Sequence, residues 1–155
     1  MTDAPHPEDR PPRTFRSPAQ EAKVAILRTA DLLRRRMAAI VAPHGLTTQQ
    51  YNVLRILRGT HPDPLPTLEI GERMIESTPG ITRLLDRLEE KRLVRRERGS
   101  DDRRMVLCRI SEAGLALLAE LDGAMDEADH RSLGTLEKGE MRGLVDQLDR
   151  IRATP

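Results

Sequence analysis

From residue 18 onward, apolar side chains recur at a helical period along most of the chain. Val24, Leu27, Leu32 and Ile40 mark the stripe of a first helix that ends near Val41, at "PHG" (43–45). Ser17 offers its N-cap, Pro18 suits the first helical position, and Gln20 completes a capping box. A second capping box, Thr47 with Gln50, opens a helix carrying Tyr51, Val53, Leu54, Ile56 and Leu57 and stopping at Gly59. The proline-rich "THPDPLP" then reads as a loop, followed by a short helix from Thr67 to about Ile75. The next helix is predicted to start with Thr78 as N-cap and Pro79 at its first position, and to continue to Leu93. Its Ile81, Leu84, Leu85 and Leu88 fall at i, i+3, i+4 and i+7, a clear inward face.

The period then shortens. "LVRRER" and "RMVLCRI", separated by "GSDD", read as a β-hairpin, with Val106, Cys108 and Ile110 on one strand face. Ser111 caps a helix over roughly 112–130. A last helix is expected from about Leu136 to Arg152, with Met141, Leu144, Val145, Leu148 and Ile151 as its stripe. No internal repeat is present. Residues 1–16 carry four prolines and little apolar content, the composition of a disordered tail.

Composition narrows the picture. A chain of 155 residues with one Tyr, one Phe and no Trp must build an aliphatic core, which favours helices. No apolar run approaches the ~20 residues of a bilayer span, and no signal-peptide core is seen at the N-terminus. The single cysteine excludes an internal disulfide framework. A cytoplasmic protein with no membrane partner is the simplest expectation. Net charge is only +1, but residues 78–110 hold ten Lys/Arg against six Asp/Glu, whereas 111–155 hold five against ten. A basic middle and an acidic end suggest that the middle faces an anionic partner.

A short helix, a turn, a second amphipathic helix and a two-stranded ribbon make a winged helix-turn-helix. A helix fits the major groove of DNA, and its outward face must present hydrogen-bond donors. Opposite Leu84 and Leu88 lie Thr82, Arg83, Asp86, Arg87 and Glu90. Thr78, Pro79, Gly80 and Thr82 make a small-residue helix start whose free N–H groups suit a phosphate. The ribbon tip would reach the adjacent minor groove, whose negative potential suits Arg.

The stretch "STPGITRLLDRLEEKRLVRRERGSDDRRMVLCRISEAG" (77–114) resembles the MarR family of bacterial transcriptional regulators. Asp102, Arg104, Ile110, Ser111 and Gly114 stand at the positions of that family's wing signature, and residues 82–88 match its recognition-helix pattern. Departures are mild: Cys108 for the usual Val, Ile110 for Leu, Ser111 for Thr, and Arg92 for a Gly at a helix C-terminus. The resemblance covers residues 17–152 and implies a mainly α fold with a small β-hairpin wing, a winged helix-turn-helix with terminal dimerisation helices. It divides the chain into residues 17–45 and 112–152 as the dimerisation region and 46–111 as the DNA-binding domain. It implies a homodimer on a palindromic site of double-stranded DNA, a repressor released by a small-molecule effector. The unpartnered stripe of the last helix supports the dimer independently. The resemblance assigns the minor-groove arginine to Arg104, with Arg103 next, and gives Asp102 the task of orienting an arginine. Arg83 is the first candidate for a base edge and Arg87 for a phosphate.

Other residues have blander readings. Arg95, Arg96 and Arg98 alternate faces of their strand, so not all three can touch DNA, and Arg109 should matter least. Cys108 faces inward and reads as a buried structural thiol rather than a redox sensor. Asp126 and His130 have a chelating i, i+4 spacing but lack a further ligand, so no metal is expected. His44, at a helix end, reads as a capping or surface residue, and Arg34–Arg36 as a solvated face with a secondary claim on a small anion. No nucleophile has a His partner and no phosphate loop is present, so no enzyme and no cofactor are expected. The rival reading is a winged-helix protein-interaction module without sequence-specific DNA binding, against which the basic helix face and wing speak.

Overall fold

The computed structural model describes residues 15–154, so the expected tail falls almost wholly outside the described residues. The chain divides into two compact units, 1–34 and 35–155, and α1 (Pro18–Val41) runs across the boundary. In the first unit Ser17 caps the helix as expected, its Oγ accepting the Gln20 N–H at 3.2 Å. The return arm of the capping box comes from the Arg16 N–H instead, which reaches Gln20 Oε1 at 2.8 Å.

The second unit holds the rest. α2 (Thr48–Thr60) opens with the full capping box: Gln50 N–H donates to Thr47 Oγ1 at 3.1 Å and Thr47 N–H to Gln50 Oε1 at 3.0 Å. It runs through Gly59 to Thr60, because one glycine costs a helix only about 1 kcal/mol and Leu57 anchors the last turn in the core. The proline-rich segment is more than a loop. It carries β1 (Leu65–Pro66), an edge strand where a proline is tolerated. α3 (Thr67–Arg73) ends before Ile75, since Met74 turns to extended backbone and the Ile75 N–H goes to Asn52 Oδ1 at 2.9 Å.

α4 (Ile81–Glu90) starts later than expected. The Thr78 hydroxyl turns back to donate to the Glu76 carbonyl at 2.9 Å, so it caps nothing, and Pro79 lies in the preceding turn. Gly80 is the N-cap, its carbonyl accepting from the Leu84 N–H at 3.1 Å. The helix also stops before Leu93. Arg92 takes φ 60°, the left-handed conformation that ends many helices. Its N–H reaches the Glu89 carbonyl at 2.8 Å, and that of Leu93 reaches Leu88 at 3.0 Å, a Schellman ending on a non-glycine residue.

β2 (Val94–Arg98) and β3 (Val106–Ile110) form the hairpin, with Val94 opposite Ile110 and Arg96 opposite Cys108. β1 joins on the far side of β3, giving a three-stranded antiparallel sheet in the order β1-β3-β2. α5 (Glu112–Leu133) outlasts its expected end near residue 130, and α6 (Lys138–Arg152) begins just after Glu137, which shares a capping box with Glu140.

The core is aliphatic, as the composition requires. Leu54, Leu57, Ile70, Leu85, Leu88, Leu118 and Leu121 are fully buried around Val94 and Cys108. Ser111 joins three elements: its Oγ donates to the Arg92 carbonyl at 2.7 Å and accepts the Gly114 N–H at 3.1 Å, capping α5 against the end of α4. A side chain at Gly114 would place a Cβ 2.4 Å from the Leu93 carbonyl oxygen, so only glycine permits this approach. Arg58 grips both carboxylate oxygens of Asp122 at 2.9 Å, tying α2 to α5. α6 buries none of its residues: Leu144, Val145 and Ile151 are 40%, 53% and 54% exposed.

Candidate nucleic-acid interface

The inward stripe of α4 leaves its opposite face to solvent. Thr82, Arg83 and Arg87 are exposed there, and neither arginine has a hydrogen-bond or ion-pair partner among the described residues. Glu90 is exposed beside them. The helix start adds Pro79 and Gly80, both exposed, and Thr78, half-buried. No side chain caps this end, and a Cβ at Gly80 would meet nothing within 4 Å. The first N–H groups of α4 are therefore open to an anion, in the positive field of the helix end.

The wing tip spans 99–105, longer than the "GSDD" turn, and it takes Arg104 and Met105 out of the expected strand. Asp102 explains why. Its Oδ1 accepts the Arg104 backbone N–H at 2.9 Å and its carbonyl the Met105 N–H at 3.0 Å, folding the tip back. Asp102 thus holds the backbone of an arginine rather than its guanidinium. The Gly99 N–H closes the tip on the Met105 carbonyl at 2.9 Å, and Arg98 braces it from outside, donating to the Arg103 carbonyl at 3.0 Å. A Cβ at Gly99 would lie 2.8 Å from the Asp102 carbonyl oxygen, so the fold-back needs glycine. The guanidinium groups of Arg103 and Arg104 are exposed and unpartnered among the described residues.

The other ribbon arginines differ. Arg109 is paired with Glu97, and Arg95 stands exposed opposite Arg109 on the strand face that Arg96 does not share. Arg96 is the residue that sequence reasoning did not single out. It donates through Nε and Nη2 to Glu89 Oε2 at 2.9 and 2.6 Å, and Nη2 also lies 2.6 Å from Asp86 Oδ1. Its backbone N–H reaches Glu89 Oε1 at 3.1 Å. Hydrogen bonding to Arg96 holds the Glu89 carboxyl below its usual range, and Glu89 in turn raises Arg96. The strand alternation contained the signal: Arg96 is the one arginine of its strand in register with the buried Cys108.

Cys108 is fully buried, and burial pushes its thiol up to about 12, far from a reactive thiolate at neutral pH. Asp126 and His130 are exposed, and no group of three His, Cys, Asp or Glu able to hold a metal occurs among the described residues. His44 Nδ1 lies 3.9 Å from Glu120 Oε1. Arg36 donates to Ser132 Oγ at 2.6 Å. No helix among the described residues is long and apolar enough to cross a membrane.

A family model described as MarR family matches residues 44–105, from just before α2 through the wing tip. The chain is 38% identical to a MarR transcription factor from Planctomyces limnophilus of known crystal structure, covering 87% of this chain and 98% of that one with a TM-score of 0.67. It is 28% identical over 108 residues to the HTH-type transcriptional regulator MhqR of Bacillus subtilis, which is 70% of this chain and 73% of that regulator. Its fold is shared with an E. coli MarR variant crystallised with operator DNA, at 22% identity, 84% and 93% coverage and a TM-score of 0.74. These relatives are regulators, not enzymes. The chain is a winged-helix, DNA-binding transcriptional regulator and belongs to the MarR family.

Proposed function

We propose that the protein works as a homodimeric repressor on a palindromic operator and leaves it when a small molecule binds. One observation carries the DNA-contact assignment. On the α4 face and the wing tip, the guanidinium groups of Arg83, Arg87, Arg103 and Arg104 have no partner among the described residues, while those of Arg96, Arg98 and Arg109 are engaged within the fold. Arg83 reads a base edge in the major groove, and Arg87 and the α4 N-terminus, with Thr78, Pro79, Gly80 and Thr82, hold phosphates. Arg104, then Arg103, enters the minor groove, with Asp102 setting the backbone that carries Arg104. Residues 46–111 serve as the DNA-binding domain, and 17–45 with 112–152 as the dimerisation region. The exposed stripe of α6 supports that pairing, and operator binding by the E. coli relative supports the target. The effector follows from family membership.

The test is fluorescence anisotropy with the upstream intergenic DNA of the protein's own gene, across a salt series. Binding should weaken steeply as salt rises. Arg104→Ala and Arg83→Ala should each weaken it on the order of 10-fold with the thermal transition unchanged. No binding there or on random fragments, even at low salt, would instead favour a protein-interaction module. A small-molecule thermal-shift panel addresses the effector, since a ligand of the folded state raises its apparent stability.

A further inference from the structure

The wing and the recognition helix are joined by one side chain. Arg96 projects from β2, and its guanidinium meets two acids of α4, Glu89 through two nitrogens and Asp86 through one. Glu89 completes the link by accepting the Arg96 backbone N–H. A planar fork held at several points fixes direction as well as distance. Arg96 is also well covered for a charged residue, its side chain 23% exposed. It lies beside Cys108 in the ribbon, and β1 holds the other side of β3. The Thr67 hydroxyl adds a bond to the Val106 carbonyl at 3.2 Å. The ribbon is therefore anchored to α3 along one edge and to α4 along the other.

The acids matter as much as the arginine. On a helical wheel Asp86 falls between Glu90 and Thr82 in the middle of the outward face of α4, and Glu89 on the flank toward the wing. A bare carboxylate in that position would oppose approach to phosphates. Arg96 supplies the counter-charge of Asp86 from within the protein, its Nη2 lying 2.6 Å from Asp86 Oδ1.

We infer that Arg96 is a positioning residue for DNA recognition: clamped on Asp86 and Glu89, it sets the wing against α4 so that Arg104 and Arg83 engage one duplex together. The inference rests on the contact roles proposed for those two arginines. Arg96 itself touches no DNA.

A double-mutant cycle tests it, with operator affinity read by anisotropy below the unfolding transition. Arg96→Met keeps an unbranched apolar stem about as long as that of arginine and removes the fork. It should weaken binding about 10-fold or more. In that background Arg104→Ala should cost at most about twofold, against its roughly 10-fold effect in the native protein, while Arg83→Ala keeps its full effect. Glu89→Gln, which attacks the clamp from the helix side, should shrink the Arg104 effect in the same way, and it decides the matter if Arg96→Met does not fold. A merely structural Arg96 would lower the melting temperature and leave the two effects multiplicative. That additivity, or native affinity in both clamp variants, overturns the inference and leaves the contact roles standing. An Arg104→Ala change without effect in the native protein removes the wing from the interface and this inference with it.

Discussion

Helices α4 and α6 carry the same apolar spacing. Ile81, Leu84, Leu85 and Leu88 recur in α6, offset by a constant interval, as Met141, Leu144, Val145 and Leu148. In α4 the last three of these are buried, Leu85 and Leu88 completely; in α6 no residue is buried, and Val145 is 53% exposed. An amphipathic stripe states that a face is to be covered, not what covers it. α4 finds α2, α3 and the sheet within its own chain. Among the described residues nothing fully buries the pattern of α6, and a second copy is the cover proposed above.

The sharpest way to break this comparison is to damage each stripe at the same point. Leu85→Ala opens a cavity in a core with no surface to relax into, so it should cost about 4 kcal/mol of unfolding free energy. Urea denaturation at two protein concentrations checks it, and a loss below about 1 kcal/mol would show that α4 is not the keystone of the fold. Val145→Asp, the equivalent position in α6, should leave the protomer folded. It would instead weaken the dimer on the order of 100-fold, about 3 kcal/mol, because a two-fold axis places the charge in the seam twice. Equilibrium sedimentation reads this directly. A variant that stays dimeric would take α6 out of the seam.

The helix ends extend the contrast at smaller scale. Ser111, which locks the end of α4 to the start of α5, is buried at 8% exposure, whereas the Glu137 cap of α6 is open to water. Ser111→Ala removes an N-cap and leaves the Arg92 carbonyl without its partner, so it should cost about 2 kcal/mol. Glu137→Ala should cost roughly 0.5 kcal/mol, because water replaces what it loses. Ser111→Thr, which keeps the hydroxyl, should recover most of the loss. Equal costs at the two caps would mean that burial does not set the difference.

What could be read from the sequence divides along the same line. Periodicity located the six α-helices of the described residues, and the α4 stripe and the wing were legible as elements because each repeats a pattern over many residues. Single-residue decisions were not. Nothing in "STPG" shows that the Thr78 hydroxyl turns back to Glu76 instead of capping α4. A strand of two residues such as Leu65–Pro66 is too short to show a period. Asp102 was marked as an orienting residue, but which group it holds depends on the fold-back of the tip. Arg96 was one of three arginines on a strand, and its partners Asp86 and Glu89 are chosen by the packing of β2 on α4, which no local spacing encodes.

The smallest effect expected lies at the end of α4, where a non-glycine residue takes a glycine's place. Arg92 sits at φ 60° to close the Schellman turn. A left-handed conformation costs an L-residue about 1–2 kcal/mol, and glycine is free of that cost but gives up more backbone entropy on folding. The bonds at this turn are made by backbone groups, including the carbonyl that Ser111 holds, so they survive the loss of the side chain. Arg92→Gly should therefore stabilise the protein by roughly 0.5 kcal/mol, raising the melting temperature by about 1–2 °C. The gain should vanish in the Ser111→Ala background if that carbonyl bond is what pins Arg92 in the left-handed region. A loss of stability in the native background would show that the turn relaxes around Arg92 at no cost, or that its side chain contributes more than its conformation takes away.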